Sequence, residues 1–313
     1  MTVSVLALSG GIGGAKLALG LQGVLGAGEL ALAVNTGDDF EHLGLAICPD
    51  IDTALYTLAG LSNTELGWGR ADESWNFMTE LERLGVEGWF RLGDKDLAVH
   101  IERTRRLAAG HTLTEIIADF ARHFGVATRV LPMSDEAVRT LVETETGVLS
   151  FQEYFVRLRC APRVRAIRFE GAARARANAA ALALLGAEDL NAVVICPSNP
   201  YLSVDPILAV PGWRSALAAC AAPVIAVSPL IAGEAVKGPT AKIMRELGLE
   251  VSPVTVARHY ADLIDGFVLD HADAALAGSF DVPVCLAQTL MRSLQDKMRL
   301  ARAVLDFGQA LST

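Results

Sequence analysis

The chain has 313 residues, 52% of them hydrophobic and 20% charged, with a net charge of -9. This length fits one large or two modest domains, and the apolar content excludes global disorder. The acidic balance excludes a protein that grips nucleic acid through a basic surface.

The predicted elements begin with an apolar run at residues 2–8, read as a buried strand. Residues 15–25 read as a helix and 30–34 as a second buried strand. This β-loop-α-β opening is typical of a parallel sheet covered by helices. A helix is expected over 51–59, with Pro49 or Asp50 at its start. Residues 73–84, 97–108 and 113–123 show helical spacing and read as a mainly helical insertion. Short strands are expected at 128–133 and 141–148. The α/β rhythm then resumes. Strands are predicted at 164–169, 192–196, 224–227, 267–269 and 284–287, and helices at 174–185, 213–220, 242–247 and 296–311. The expected architecture is α/β, a Rossmann-like parallel sheet flanked by helices. Residues 1–65 and 160–313 form the nucleotide-binding core, and 66–159 are an inserted, mainly helical subdomain covering the active site.

No stretch reads as a membrane span, because the apolar run at 221–232 is short and broken by Pro223 and Pro229. The amino terminus lacks a basic region and reaches glycine early, so no secretory leader is expected. Cys48, Cys160, Cys196, Cys220 and Cys285 form no Cys-x-x-Cys pair. Neither a disulfide framework nor a zinc centre is indicated, and a cytoplasmic protein is expected.

The chemistry-bearing residues cluster near the amino terminus. Gly10, Gly11, Gly13, Gly14 and Lys16 follow the first strand, where glycines let backbone N–H groups approach a phosphate. The segment is neither a dinucleotide fingerprint, since Lys16 stands where a glycine is needed, nor a Walker A loop. A tight strand-to-helix turn without a ligand is its structural alternative. Asp38 and Asp39 follow the second strand, and Asp50 and Asp52 sit at a predicted helix start. Capping accounts for one aspartate. At least one of the four is expected to hold a metal or act as a base. Ser198, Asn199 and Pro200 follow one later strand and Ser228 and Pro229 another. All lie at carboxyl ends of strands, where open α/β sheets gather ligands. Turn chemistry alone would also place them there. Lys237, between Gly233 and Gly238, is a candidate phosphate contact. Among the histidines only His42, between the two acidic pairs, has a location that suggests function.

The ordered set of segments resembles one family. It runs Gly10-Gly11-Ile12-Gly13-Gly14-Ala15-Lys16, Asn35-Thr36-Gly37-Asp38-Asp39, Asp50-Ile51-Asp52-Thr53, Trp89-Phe90-Arg91-Leu92-Gly93-Asp94-Lys95-Asp96 and Phe151-Gln152-Glu153-Tyr154-Phe155, then Ser198-Asn199-Pro200 and Ser228-Pro229-Leu230. This set resembles the 2-phospho-L-lactate transferases of coenzyme F-420 biosynthesis. The resemblance implies transfer of a phospholactyl, phosphoenolpyruvyl or phosphoglyceryl unit from a GDP-linked donor to the ribityl hydroxyl of the deazaflavin Fo, with Mg2+ and release of GMP. It implies that Asp38, Asp39, Asp50 and Asp52 are catalytic, with Asp38 and Asp52 on the metal. The glycine segment and Lys16 would face the diphosphate. Asn35, Thr36, Thr53, Ser198, Asn199, Pro200, Ser228, Pro229 and Lys237 would line the substrate pocket. A homodimer with small-molecule substrates is expected. The alternative is a YvcK-like nucleotide-sugar-binding regulatory protein, which shares the glycine segment. An NAD-dependent oxidoreductase is disfavoured by Lys16.

Overall fold

The computed structural model describes residues 3–235 and 238–312. Seven parallel strands form the central sheet: β1 (Val5–Ser9), β2 (Leu30–Val34), β5 (Arg129–Pro132), β9 (Ala192–Ile195), β10 (Val224–Val227), β13 (Gly266–Asp270) and β14 (Val284–Ala287). Their order is β14-β13-β10-β9-β1-β2-β5. All six pairings are parallel. The expected Rossmann-like sheet is therefore present.

The strands alternate between two cores. Leu6, Leu8, Ala31, Ala33, Val193 and Ile195 face one side, with α6 (Ala179–Leu185), α7 (Asp205–Ala209), α8 (Trp213–Ala218), α9 (Thr240–Glu246) and α10 (Pro253–His259). Val5, Ala7, Leu30, Leu32 and Val194 face the other, under α1 (Gly11–Val24), α2 (Pro49–Leu58), α5 (Leu113–His123) and α11 (Leu294–Leu311). Both faces are covered, so strands such as β1 are buried at every residue. The chain winds from β1 toward β5 in one direction and from β9 toward β14 in the other. The crevice between β1 and β9 is thus a topological switch point, open at the carboxyl ends of the strands.

The structure departs from expectation in several places. The first helix starts at Gly11, inside the glycine segment, rather than at residue 15. Residues 141–148 are not one strand. They belong to a hairpin of β6 (Arg139–Thr144) and β7 (Gly147–Ser150), and β6 also pairs with β8 (Val164–Glu170). The helix expected over 174–185 begins at Ala179, where the Asn178 side chain accepts the Ala180 and Ala181 N–H groups. The stretch 66–159 holds α3 (Asn76–Arg83), α4 (Asp94–Ala108), α5, the β6–β7 hairpin and β5, the edge strand of the central sheet. Unforeseen elements are the hairpin of β3 (Phe40–His42) and β4 (Leu45–Ile47), the small hairpin of β11 (Leu230–Ile231) and β12 (Glu234–Ala235), helices α7 and α10, and π-turns at Glu153–Arg157 and Pro200–Val204.

Candidate active site

A cavity of about 700 Å3 opens at the switch point. The β1 and β9 loops are stitched together beneath it. Gly10 N–H donates to Ser198 Oγ at 3.1 Å, and Ser198 Oγ–H donates to the Gly10 carbonyl at 2.8 Å. The first turn of α1 crosses this junction so closely that a Cβ on Gly13 would stand 2.3 Å from the Pro197 carbonyl oxygen. The glycine segment is therefore a packing surface as well as a cavity wall. Its leading amide, on Gly11, already faces the Asp50 carboxylate.

Four aspartates meet on the β2 side, all buried. Asn35, at the end of β2, organises them. Its Oδ1 accepts the Gly37 N–H at 2.7 Å, and its Nδ2 donates to Asp50 Oδ2 at 2.9 Å. Burial pushes the Asp50 carboxyl up to about 6 and the Asp39 carboxyl up to about 7. Burial, followed by the Asp50 charge, pushes Asp38 well above the usual carboxylate range. Asp38 Oδ1 and Asp39 Oδ1 have no hydrogen-bond partner. Arg139 opposes the burial effect at Asp39. Among the described residues, Asp38 and Asp50 have no hydrogen bond or ion pair with a cationic side chain.

Asp52 is different, because α4 brings a charged face against it. Arg103, fully buried, donates to Asp52 Oδ1 and to the Ala46 carbonyl at 3.1 Å. His100 Nδ1 lies 3.7 Å from Asp52 Oδ2, and His100 Nε2 lies 3.4 Å from Asp96 Oδ2. Tyr56 O–H donates to Asp96 Oδ1 at 2.5 Å. Burial raises the Asp52 carboxyl, opposed by Arg103. Burial also disfavours the Asp96 charge, but the His100 bond and charge outweigh it and the carboxyl falls below the usual range. One ligand atom from each of Asp52, Asp96 and His100 lies within 4.8 Å of the others, a spacing that could hold a metal ion.

The structure thus brings Gly10, Gly11, Gly13, Lys16, Asp38, Asp50, Asp52, Thr53, Ser198, Asn199, Ser228 and Pro229 to one cavity wall. Gly14, Asn35, Thr36, Asp39 and Pro200 are buried and absent from that wall. Lys237 lies outside the described residues. Lys16 lines the cavity while its Nζ donates to the Met291 carbonyl at 3.2 Å. His42 is also absent from the wall. It packs among Phe40, Trp89 and Phe90, and burial lowers its pKa. Sequence reasoning missed Asp96, His100 and Arg103 as site residues. The available signal was their i, i+4, i+7 spacing on one helix face. Aromatic side chains complete the mouth: Trp68, Trp89, Phe90, and Phe155 stacked on Phe151 with centroids 5.2 Å apart.

The model of the family described as 2-phospho-L-lactate transferase CofD matches residues 5–281. The phosphoenolpyruvate transferase of Streptomyces griseus is 39% identical over 314 residues, spanning 97% of this chain and 98% of its own. That of Kitasatospora aureofaciens is 40% identical over 315 residues, with the same coverage of each. That of Thermobifida fusca is 41% identical over 284 residues, covering 86% of this chain and 87% of its own. A crystal structure of a UPF0052 family member from Bacillus halodurans superposes with a TM-score of 0.63. It covers 97% of this chain and 99% of that one at 15% identity, a likeness of fold alone.

Proposed function

The chain belongs to the 2-phospho-L-lactate transferase CofD family, and on that footing we propose the chemistry of its cavity. The protein is a transferase of coenzyme F-420 biosynthesis. The proposed donor is a GDP-linked phospho-acid, and the phosphoenolpyruvyl form is favoured by the names of the relatives. The proposed acceptor is the ribityl hydroxyl of Fo. The hydroxyl oxygen bonds to the β-phosphorus, the bond from that phosphorus to the bridging oxygen breaks, and GMP leaves with the oxygen.

The observation that carries this reading is the Asp38–Asp50 pair. Two buried carboxyls share one amide at the switch point, both are pushed up, and no cationic side chain among the described residues neutralises them. A hard divalent cation is the missing countercharge, and oxygen ligands suit Mg2+. We place the ion at Asp38 and Asp50 rather than at Asp38 and Asp52, because Arg103 already neutralises Asp52. A bound ion of this kind supplies Lewis acidity at the diphosphate. Asp52 is then free for another role. Its Oδ1 is fixed by Arg103, while its buried Oδ2 has no hydrogen-bond partner and can accept the Fo hydroxyl proton. Ser198, Asn199 and Ser228 hold the nucleotide side of the cavity. The aromatic mouth suits the flat deazaflavin ring.

No helix among the described residues is long and apolar enough to cross a membrane. All five cysteines are free, which suits a protein working in the reducing cytoplasm. The chain is proposed to act as a homodimer, which a solution mass of two chains would support. The decisive experiment is incubation with Fo, Mg2+ and each GDP-linked donor, with product mass and GMP release as readouts. A protein that makes no product, yet is stabilised by UDP-sugars and not by GDP, would be a nucleotide-sugar-binding regulator instead.

A further inference from the structure

The cavity wall carries four carboxylates, Asp38, Asp50, Asp52 and Asp96, yet its proposed donor is anionic along its whole reacting end. An ion at Asp38 and Asp50 answers the diphosphate. It leaves the carboxylate of the acid, whose 2-oxygen is bonded to the reacting phosphorus, so that the carboxylate must lie in the same cavity. Among the described residues, three long cationic side chains line that cavity: Lys16, Arg91 and Arg159. Lys16 is tied to the Met291 carbonyl, and Arg91 lies over the Trp75 ring at 4.5 Å. Arg159 has neither a side-chain hydrogen bond nor an ion pair among the described residues. Its neighbour Arg157 is neutralised by Glu87 at 2.6 Å, so the one basic side chain of this turn that faces the cavity is the unpaired one.

The backbone that carries Arg159 is built with unusual care. Arg159 and Cys160 have φ of +50° and +57°, successive left-handed conformations in residues with side chains. Such strain persists only where the surroundings enforce it. Here Leu158 N–H donates to Glu153 O at 2.8 Å, Cys160 N–H to Tyr154 O at 2.8 Å and Ala161 N–H to Leu158 O at 2.9 Å. Beneath the turn, Lys242 Nζ donates to the Pro162 carbonyl at 3.0 Å and to Glu246 at 2.7 Å. Tyr154, fully buried, anchors the other side. A fixed platform therefore presents a free guanidinium at the rim beside Phe155.

The geometry points to Arg159 as the residue that grips the carboxylate of the phospho-acid donor, deepening the functional reading above and resting on it. A guanidinium meets a carboxylate through two parallel N–H···O bonds, which a lysine cannot reproduce. The contact would be common to phospholactyl, phosphoenolpyruvyl and phosphoglyceryl donors, since all three carry that group. It would set the class of acid accepted while leaving the choice among the three to other contacts. A diphosphate oxygen is the competing partner for the same guanidinium.

The test measures binding by calorimetry with two probes, GDP and GDP-linked phospholactate, together with a carboxamide version of the latter. Arg159→Gln should weaken the acid-bearing donor about 10–100-fold and leave GDP within about twofold. Arg159→Lys should recover part of that loss. In the wild type the carboxamide should bind as weakly as the carboxylate binds to Arg159→Gln. In Arg159→Gln the two should bind alike. The melting temperature should not move, because the exposed Arg159 side chain makes no hydrogen bond or ion pair with the described residues. Equal weakening of GDP and the donor would assign Arg159 to the diphosphate and overturn the proposal, as would no change in either. A wild-type protein that binds neither probe would overturn the functional reading and this assignment with it, whereas wild-type binding with an inert Arg159→Gln removes only Arg159.

Discussion

Gly13 has to satisfy packing and chemistry at once. The sequence suggests a residue held bare for a phosphate, and the structure shows the Pro197 carbonyl 2.3 Å from where a Cβ would sit. A backbone atom cannot swing aside, so Gly13→Ala should cost about 3 kcal/mol, the upper end of ordinary overpacking. Gly11 has φ of +62° and nothing within 4 Å of its Cβ position, so Gly11→Ala should cost only about 1 kcal/mol of backbone strain. Urea denaturation decides the order, and a larger loss at Gly11 would refute the packing argument. The aspartates give a second residue-scale test. Asp50 titrates at about 6 and Asp39 at about 7 in the folded protein, against an ordinary 3.8. Between those limits the folded state holds protons that the unfolded state has released, so metal-free stability falls as pH rises. The loss begins near the unfolded pKa and is complete above the folded values. An ion at Asp38 and Asp50 needs both carboxyls ionised, so its stabilisation should grow across the same window. The rise in melting temperature on adding Mg2+ should be larger at about pH 8 than at about pH 5. A rise that is equal at both, or larger in acid, would take these two aspartates out of the metal site.

At the scale of elements, the junction of α4 with α2 gathers Asp52, Asp96, His100 and Arg103 in one buried cluster. Arg103 is fully buried, and among the described residues its only countercharge in hydrogen-bond contact is Asp52. Removing one partner strands the other in low dielectric, so Arg103→Met should destabilise by about 3–5 kcal/mol. Asp52→Asn in the Arg103→Met background should recover part of that loss, a coupling that a double-mutant cycle measures. Additive losses would mean that the two side chains do not act as a pair. This junction was not legible in the sequence, because 51 residues separate the partners and periodicity carries no information about which helix meets which. Strands fared better. β2, β10 and β14 occupy the residues expected, since a short apolar run bounded by turn residues has few alternatives in a parallel sheet. The β3–β4 hairpin was missed because its strands are only three residues long, too short for the apolar Leu45-Ala46-Ile47 run or the Phe40-Glu41-His42 alternation to stand out as a strand signal. The start of α1 was misplaced for a related reason. Local propensity counts glycines as loop, and only the β9 loop packed against them explains their helical state. Asp38, Asp50 and Asp52 were legible as candidates that would share one cavity wall, because Asp38 follows an apolar strand and capping accounts for only one of the two aspartates at the helix start. Their separate roles were not, since those depend on Arg103 and Asn35.

For the whole molecule, the family match ends at residue 281, but the fold does not. β14 and α11 lie beyond it. β14 pairs with β13 from Phe267↔Val284 to Asp270↔Ala287, continuing the parallel order. Leu300, Ala301 and Val304 of α11 are almost wholly buried in the same core as Leu17 and Leu21 of α1. Each large apolar side chain in that layer contributes about 1.5–3 kcal/mol by leaving water, so losing the helix outweighs the few kcal/mol of margin a domain has. The segment also builds part of the site. Thr289 donates through its N–H and hydroxyl to Asp270 Oδ2 at 2.8 and 3.0 Å, and Met291 receives Lys16. Thr289, Leu290 and Met291 then close the cavity beside the glycine segment. A chain ended after residue 281 should therefore lose fixed packing, with near-ultraviolet circular dichroism collapsing further than far-ultraviolet. It should bind a hydrophobic dye, because the inner face of α1 is exposed, and it should show no thermal shift with GDP. A truncated chain that unfolds cooperatively near the full-length midpoint and still responds to GDP would confine the folding unit to the matched residues, and would leave β14 and α11 without the role argued for them.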